Sequence, residues 1–475
     1  MPQISVTARK GDPSDTAVDT RVVGLFDGES SPESVAVAGE AKGAWQKLAV
    51  GTEDGRSVIL IGLGKREEWD AERARVAAAL TAGRASELGA TGISWAVPEG
   101  EGVAEGIVEG TLLKLYKFDR FKSKGEDDEP AGVESLELAS AEHEFEIEAR
   151  TARITAEAAN AARNLQNLPA NVANPAFLAA RAQEIADEHA ALDLQVFDRD
   201  QIVEMGMGAF AAVAQGTHTD PKLIVMRYSP EGAKGPHLGY VGKAVTFDTG
   251  GISIKPSGKM QEMKFDMSGG AAVIESMDAI AQLGLPVRIT AVVPATDNMP
   301  SGRAVKPGDI VTAMNGKTIE VNNTDAEGRL ILADALAYAV QEGAERLIDL
   351  ATLTGAIIVA LGSTYSGLFS NDDDWCEEVE AAGEQSGEIG WRLPLHPEYF
   401  ELTKGQYADL TNASDTRKAM SIYAAEFLRQ FVDERPWVHV DIAGTAWGGT
   451  RPYVGGGASG YGVRMLTALA RRAAR

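Results

Sequence analysis

What this sequence has little of narrows its chemistry before any motif is found. A single cysteine, Cys376, stands in 475 residues, so no internal disulfide can form and a reducing compartment is the expectation. Six histidines are present, at 143, 189, 218, 237, 396 and 439, with no His-Glu-x-x-His among them. A histidine-built zinc centre is therefore not expected, and any metal must rest on oxygen ligands plus something less usual. Lys and Arg number 45 against 69 Asp and Glu, a formal net charge of -24. A surface that neutralises phosphates needs the opposite balance, which argues against general nucleic-acid binding; the acidity itself reads as solubility and self-repulsion. No apolar run approaches the ~20 residues of a membrane span. The longest, around Ala356–Leu361, reads as a buried strand or helix piece. The first ten residues lack the basic-then-apolar order of a signal peptide, so the cytoplasm is the expected location.

What is present describes a globular α/β chain too long for one ordinary core. In the first part, Val58–Leu63 reads as a buried strand, Glu67–Leu88 as a charged, Ala-rich helix and Gly92–Val97 as a second strand. That is a βαβ pattern and predicts a parallel sheet. Ser123–Gly132 is a polar loop rich in breakers, and Ala139–Leu165 reads as a long helix bridging two domains. The boundary is placed near its end, giving an N-terminal α/β domain with linker helix over 1–160 and a larger domain over 161–475. The second part alternates strands (Leu223–Tyr228, Leu238–Phe247, Val287–Val293, Leu347–Leu350, Gly367–Ser370, Val438–Ile442) with helices (Pro175–His189, Gly269–Leu283, Arg329–Glu342, Met420–Val432, Val463–Ala474). The expected fold class is thus α/β in two domains, the larger built on a central mixed sheet flanked by helices. Ligands belong near the carboxyl ends of its strands.

Three tempting motifs fail. Gly455-Gly-Gly-Ala-Ser-Gly460 matches G-x-G-x-x-G, but a dinucleotide site needs a βαβ unit and an acidic residue about 20 positions on, and the chain ends first. A flexible active-site loop is the better reading of that stretch. Gly242-Lys243 and Gly316-Lys-Thr318 lack the upstream glycine of a phosphate-binding loop. Asp248-Thr-Gly has no second copy to share a proton with.

The chemistry gathers elsewhere. The pattern predicts a strand that delivers Lys243 and then Asp248 at its carboxyl end; a Gly-Gly turn follows, with Lys255 seven residues on and Asp266 at the mouth of the next helix. Either residue alone reads as a strand-end surface charge in a weak ion pair. In Asn323-Thr-Asp-Ala-Glu-Gly-Arg-Leu330, an extended run would project Asp325, Glu327 and Arg329 to one side. Two carboxylates aimed together repel unless a cation sits between them, and the helix beginning near Arg329 adds its positive end. The rival reading is a capping box from Thr324 to Glu327, which leaves Asp325 and Arg329 idle.

Asn323–Leu330 resembles the full signature octapeptide of the leucyl aminopeptidase family of cytosolic dinuclear metallo-exopeptidases. Val241-Gly-Lys243, Thr246-Phe-Asp248, Gly250–Pro256, Lys264–Met267, Ala351–Ala356 and His439–Trp447 are similar to other segments of that family in order and spacing. The resemblance runs from about Ala161 to the C-terminus. It implies metal ligands at Lys243, Asp248, Asp266, Asp325 and Glu327. Asp248 and Glu327 would bridge two divalent ions, Lys243 and Asp266 completing one site and Asp325 the other. It further implies Lys255 and Arg329 as catalytic residues that do not ligate, bicarbonate held at Arg329, and a side-chain pocket including Met263, Thr352 and Gly355. The ions would be Zn2+ or Mn2+, with Mg2+ or Co2+ possible, since the mixed ligand set does not choose among them. The implied activity is removal of N-terminal residues, leucine-like ones preferred, from peptides by metal-activated water. The implied assembly is a homohexamer in the cytoplasm. The chain departs from the family at Thr249, at Gln261 and over Arg417–Ala425, where the family has a glycine-containing run; this last change bears on substrate preference. A DNA-binding role and a two-metal phosphohydrolase are the competing classes, the first opposed by the net charge.

Overall fold

The computed structural model describes residues 4–37, 41–123 and 132–474, so most of the Ser123–Gly132 loop lies outside the described residues. The chain forms two compact units, one of residues 1–160 with 450–455 and one of 161–449 with 456–475.

The first unit is one seven-stranded sheet with helices. Its strands are β1 (Ser5–Lys10), β2 (Thr20–Phe26), β3 (Ala36–Val37), β4 (Leu48–Glu53), β5 (Arg56–Gly64), β6 (Gly92–Ala96) and β7 (Ser135–Ser140), in the order β1-β7-β6-β2-β5-β4-β3. The five from β1 to β5 in that order pair in parallel, as the βαβ pattern predicts, and β4 and β3 add an antiparallel edge. Between β5 and β6 runs α1 (Ala71–Glu87), capped by Asp70, whose side chain accepts from the Arg73 N–H. Helix α2 (Val103–Lys114) follows β6. The helix read over Ala139–Leu165 starts later, as α3 (Glu146–Asn167). Ala139 and Ser140 end β7 instead, paired with Arg9 and Lys10 of β1; a partner more than a hundred residues away overrides their local preference.

The second unit is built on a nine-stranded mixed sheet. Its members are β8 (Leu192–Phe197), β9 (Lys222–Tyr228), β10 (Lys234–Gly242), β11 (Ala244–Asp248), β12 (Val287–Asn298), β15 (Arg346–Ala351), β16 (Ser366–Ser370), β17 (Gly390–Arg392) and β19 (Trp437–Asp441). A small three-stranded sheet joins β13 (Asp309–Thr312), β14 (Thr318–Val321) and β18 (Leu410–Thr411). The order of the large sheet is β17-β16-β19-β15-β10-β12-β9-β8, with β11 alongside β12. Its centre is parallel; β9 and β8 on one side and β16 on the other join antiparallel, and the edge strand β17 pairs with β16 in parallel. Helices α4 (Pro175–Glu188), α5 (Arg199–Glu204), α6 (Gly208–Ala214), α7 (Ser268–Leu283), α8 (Gly328–Gln341), α9 (Gly355–Leu361), α10 (Asp373–Ser386), α11 (Pro397–Phe400), α12 (Met420–Leu428) and α13 (Val463–Ala473) complete the unit.

Strand alternation sorts these layers. Val241 packs into a core with Val292 and Leu347 of the sheet, Leu332 and Leu336 of α8, Phe210 of α6 and Phe427 of α12. Its neighbour Tyr240 serves the opposite face, donating its hydroxyl proton to the Leu466 carbonyl of α13 at 3.0 Å. Buried on both faces, the central strands read as continuous apolar runs. The run Ala356–Leu361 does not follow its expectation: only Ile357 of α9 is buried, and Val359 is 90% exposed.

Candidate active site

The strand read over Leu238–Phe247 is two strands broken at Lys243, and the break makes the site. Strand β10 lies between β12 and β15 up to Gly242, after which β11 continues beside β12 alone. At the break the Lys243 N–H donates to the Leu350 carbonyl at 3.0 Å, and the Lys243 carbonyl accepts from Gly270 at 2.7 Å. Lys243 as a whole is 2% exposed. Its Nζ lies 2.8 Å from Asp266 and 2.9 Å from Glu327, and donates to the Thr352 carbonyl at 3.1 Å. Gly328 is required here: a Cβ on it would stand 2.6 Å from Lys243 Cε and Nζ.

Asp248 ends β11 at the carboxyl edge of the sheet and is 3% exposed. Its Oδ1 accepts from the Gly250 N–H and from Asn298 Nδ2, each at 2.8 Å. Gly250 and Gly251 both adopt positive φ, at 86° and 66°, a conformation glycine enters without steric cost. A Cβ on Gly250 would also meet Asp325 Oδ1 at 2.8 Å. The turn returns Lys255, whose Nζ lies 2.7 Å from Asp248 Oδ2 and pairs with Asp325. Asp266 comes from a 3-10 turn, Met260–Met267, just before α7, and accepts from Thr352 Oγ1 at 2.7 Å.

The octapeptide is not extended. Ala326 N–H closes a turn on the Asn323 carbonyl, Glu327 has helical dihedrals, and α8 starts at Gly328. Asp325 and Glu327 therefore converge through a turn, not through strand alternation. The capping box does not form either: Thr324 Oγ1 donates to the Gly250 carbonyl at 2.6 Å and accepts from Ser253 N–H at 2.8 Å, stitching the two ligand-bearing loops together. Among the described residues, Asp248, Asp325 and Glu327 offer carboxylate oxygens all within 4.8 Å of one another.

The electrostatics show which charge is in excess. Burial and the neighbouring Glu327 push Asp248 above its usual range, and burial pushes Asp266 well above it. Burial and Asp248 raise Asp325 to about 6. Burial opposes ionisation of Glu327 too, but Lys243 and Lys255 outweigh it and hold its carboxyl low. Burial would lower both lysines; the surrounding carboxylates reverse this and raise them. Asp266 Oδ2 and Glu327 Oε2 are buried with no hydrogen-bond donor among the described residues. Buried acceptors without donors are costly, and acidic oxygens crowded so closely suit a divalent cation. The donor set therefore fits metal ions.

Arg329, at the start of α8, is 5% exposed and donates through Nη1 to the Asn412 carbonyl at 2.8 Å. Of the expected side-chain pocket, Thr352 touches Asp266, Met263 lies half-buried three residues before Asp266 on the 3-10 turn, and Gly355 opens α9 with free space around it. Sequence reasoning missed two asparagines. Asn298 joins Asp248 to the Thr324 carbonyl, the latter at 2.9 Å. Asn412, fully buried, accepts from the Asn322 and Asn323 N–H groups and donates to the Asn323 and Ala326 carbonyls. Asn298 ends a strand that sequence patterning closes at Val293, so a longer reading of β12 would have found it. Asn412 arrives from a short strand with no local signal.

Residues 160–467 match the model of the cytosol aminopeptidase family catalytic domain, and residues 22–125 that of the family's N-terminal domain. A probable cytosol aminopeptidase of Roseiflexus castenholzii is 44% identical, over 97% of this chain and 98% of its own. One of Solibacter usitatus is 50% identical, over 78% and 77%. Among solved structures, a mutant of tomato leucine aminopeptidase superposes with a TM-score of 0.88 at 34% identity, covering 99% of this chain and 97% of its own. The bottromycin maturation enzyme BotP in complex with Mn gives 0.87 at 33%, covering 97% and 100%. Family models over both parts of the chain, and relatives aligned nearly end to end, agree with the buried acidic centre: this chain belongs to the cytosol aminopeptidase family.

Proposed function

We propose that this chain is a two-metal aminopeptidase that releases N-terminal residues, leucine-like ones preferred, from peptides. The observation that carries the reading is the convergence of buried Asp248, Asp266 and Glu327 with half-buried Asp325 around two lysines, with carboxylate oxygens left without donors among the described residues. In this reading Lys243, Asp248, Asp266, Asp325 and Glu327 would hold two divalent ions, Zn2+ or Mn2+ first. Bound there, such ions supply Lewis acidity to a peptide carbonyl and lower the pKa of water.

The chain's own groups do the rest. Lys255 keeps its ammonium at the mouth of the site, where it donates to the oxyanion that develops on the attacked carbonyl. Arg329 holds a bicarbonate beside the carboxylates, its charge reinforced by the amino end of α8. Lys243 would ligate only as the neutral amine, giving up the proton it holds in its ion pairs with Asp266 and Glu327. Met263, Thr352 and Gly355 line the side-chain pocket; the open space at Gly355 suits a branched aliphatic group. The chain works in the cytoplasm as a homohexamer. Ile358 and Val359 of α9 and Trp391 of β17 are exposed apolar side chains that an assembly would cover.

The test is turnover of leucyl, methionyl and cysteinyl-glycine substrates by chelated protein resupplied with zinc, manganese or magnesium. The leucyl substrate should be preferred and activity should need metal. Turnover of a phosphate ester but not of leucine-p-nitroanilide would move the chain to the phosphohydrolase class.

A further inference from the structure

Arg329 is buried at 5% exposure, yet its Nε has no hydrogen-bond partner among the described residues. On the other side of the guanidinium, Nη1 donates to the Asn412 carbonyl. An aromatic ring also lies against it: Arg329 Cζ is 5.3 Å from the ring centroid of Tyr423, within the range where a guanidinium is attracted to the π-face. Tyr423 is itself 4% exposed. It belongs to α12, in the Arg417–Ala425 stretch that departs from the family pattern.

That helix is fixed at its start. Ala419 caps it in the left-handed region at φ 53°, and the Tyr423 N–H donates to the Ala419 carbonyl at 3.0 Å. Two residues before the tyrosine, Ser421 Oγ lies 2.6 Å from Thr354 Oγ1, which bonds Asp441 Oδ2 at 2.6 Å. The first turn of α12, which carries the ring, is therefore tied to the sheet side through Thr354 and Asp441. Burial lowers the Arg329 guanidinium, and the Tyr423 hydroxyl is the first neighbouring group that supports its charge, ahead of Glu327 and Asp441, in addition to the ring contact. Those two carboxylates are the groups a loosened guanidinium would turn toward.

We infer that Tyr423 is a positioning residue for Arg329, its ring holding the guanidinium so that the Nε–H stays presented to a bound anion. The inference rests on the reading that Arg329 holds bicarbonate, and it assigns the departing stretch a task at the anion site besides substrate preference. Tyr423 is given no contact with substrate or metal; it acts through Arg329.

The experiment takes the full chain loaded with Mn2+ and titrates bicarbonate into CO2-free buffer, with leucine-p-nitroanilide as substrate. Wild type, Tyr423→Phe and Tyr423→Leu are compared, with Tyr423→Met in reserve should the leucine variant fail to fold. Tyr423→Leu is expected to need about tenfold more bicarbonate for half-activation, the loss of one cation–π contact. At sub-saturating bicarbonate its kcat should fall while KM for the peptide stays within about twofold, as expected for a lost contact that does not bind substrate. Tyr423→Phe keeps the ring and loses only the hydroxyl, so its curve should lie nearer wild type than that of Tyr423→Leu; a curve as weak as the leucine variant's overturns the assignment to the ring. Crystal structures of wild type and Tyr423→Leu, each with and without bicarbonate, should show Arg329 displaced in the variant only. A wild-type bicarbonate curve in Tyr423→Leu, with Arg329 unmoved, overturns the inference. If wild type turns over peptide with no response to bicarbonate, the anion reading fails instead. The crystal structures then still decide the positioning role, upheld by a displaced Arg329 and overturned by an unmoved one.

Discussion

At the scale of single residues, the centre depends on groups too close to tolerate an added atom. Gly328 lies against Lys243 so tightly that Gly328→Ala puts its Cβ 2.6 Å from the amine. Alanine is otherwise welcome in the first turn of a helix, so the variant should fold near normally while metal content and peptidase turnover drop at least about tenfold. Thermal melts and metal analysis on one sample check both halves. Glu327→Ala removes a proposed metal ligand and should abolish turnover with the fold intact. Lys255→Ala removes the donor at the developing oxyanion, with an expected loss of about 10^2- to 10^3-fold in kcat. Near-wild-type kcat in either variant would contradict these roles. These residues were legible because chemistry this specific leaves a pattern of types and spacings. Tyr423, Asn298 and Asn412 were not, because an amide or a ring acting through another residue has no distinctive spacing.

At the scale of elements, boundaries failed where a distant partner decided them. The strand through Lys243 reads as unbroken because Leu238–Phe247 contains no proline; its break is enforced by the Leu350 and Gly270 backbones. Helix α9 reads as buried because it is apolar, yet composition does not say which faces are covered. The alternation expected of the octapeptide is not what brings Asp325 and Glu327 together; a turn does. Helix α8 also carries a polar anchor that no motif announces. Asp334, fully buried, accepts from the Phe210 N–H at 2.8 Å and the Met314 N–H at 2.7 Å, tying α6 and the β13–β14 hairpin to the helix that presents Arg329. Asp334→Asn turns one acceptor into a donor facing an N–H and should cost about 1–3 kcal/mol. Burial raises this carboxyl from 3.8 to about 7. The folded chain thus keeps a proton that the unfolded chain releases near 3.8, so this residue's contribution falls as pH rises between those values. The gap in stability between wild type and Asp334→Asn should therefore narrow from pH 4.5 (roughly) toward neutrality. Denaturant melts across that range test it; a gap that widens contradicts the assignment.

At the scale of the whole molecule, the two-part α/β organisation and the mixed sheet followed from the alternation of strands and helices, and the family followed from the octapeptide and the segments around it. What carries function is that five proposed ligands, spread over more than eighty positions from Lys243 to Glu327, reach one buried centre only when β10, β11, the 3-10 turn and α8 are all in place. Metal should then stabilise the fold as well as serve the reaction. Saturating Mn2+ is expected to add about 2.7 kcal/mol at a hundredfold excess over Kd, read as a melting temperature that falls on chelation and returns with metal. Native mass spectrometry of the same samples checks the proposed hexamer.

The central claim is that this centre is a pair of metal sites required for peptide hydrolysis. Its most direct test counts metal and turnover together: metal per chain by elemental analysis, and leucine-p-nitroanilide hydrolysis, across a titration of chelated protein with Mn2+. The expected result is no hydrolysis without metal and full activity at two ions per chain. Glu327→Ala should show neither tight binding nor activity. Undiminished hydrolysis by metal-free protein would contradict the claim.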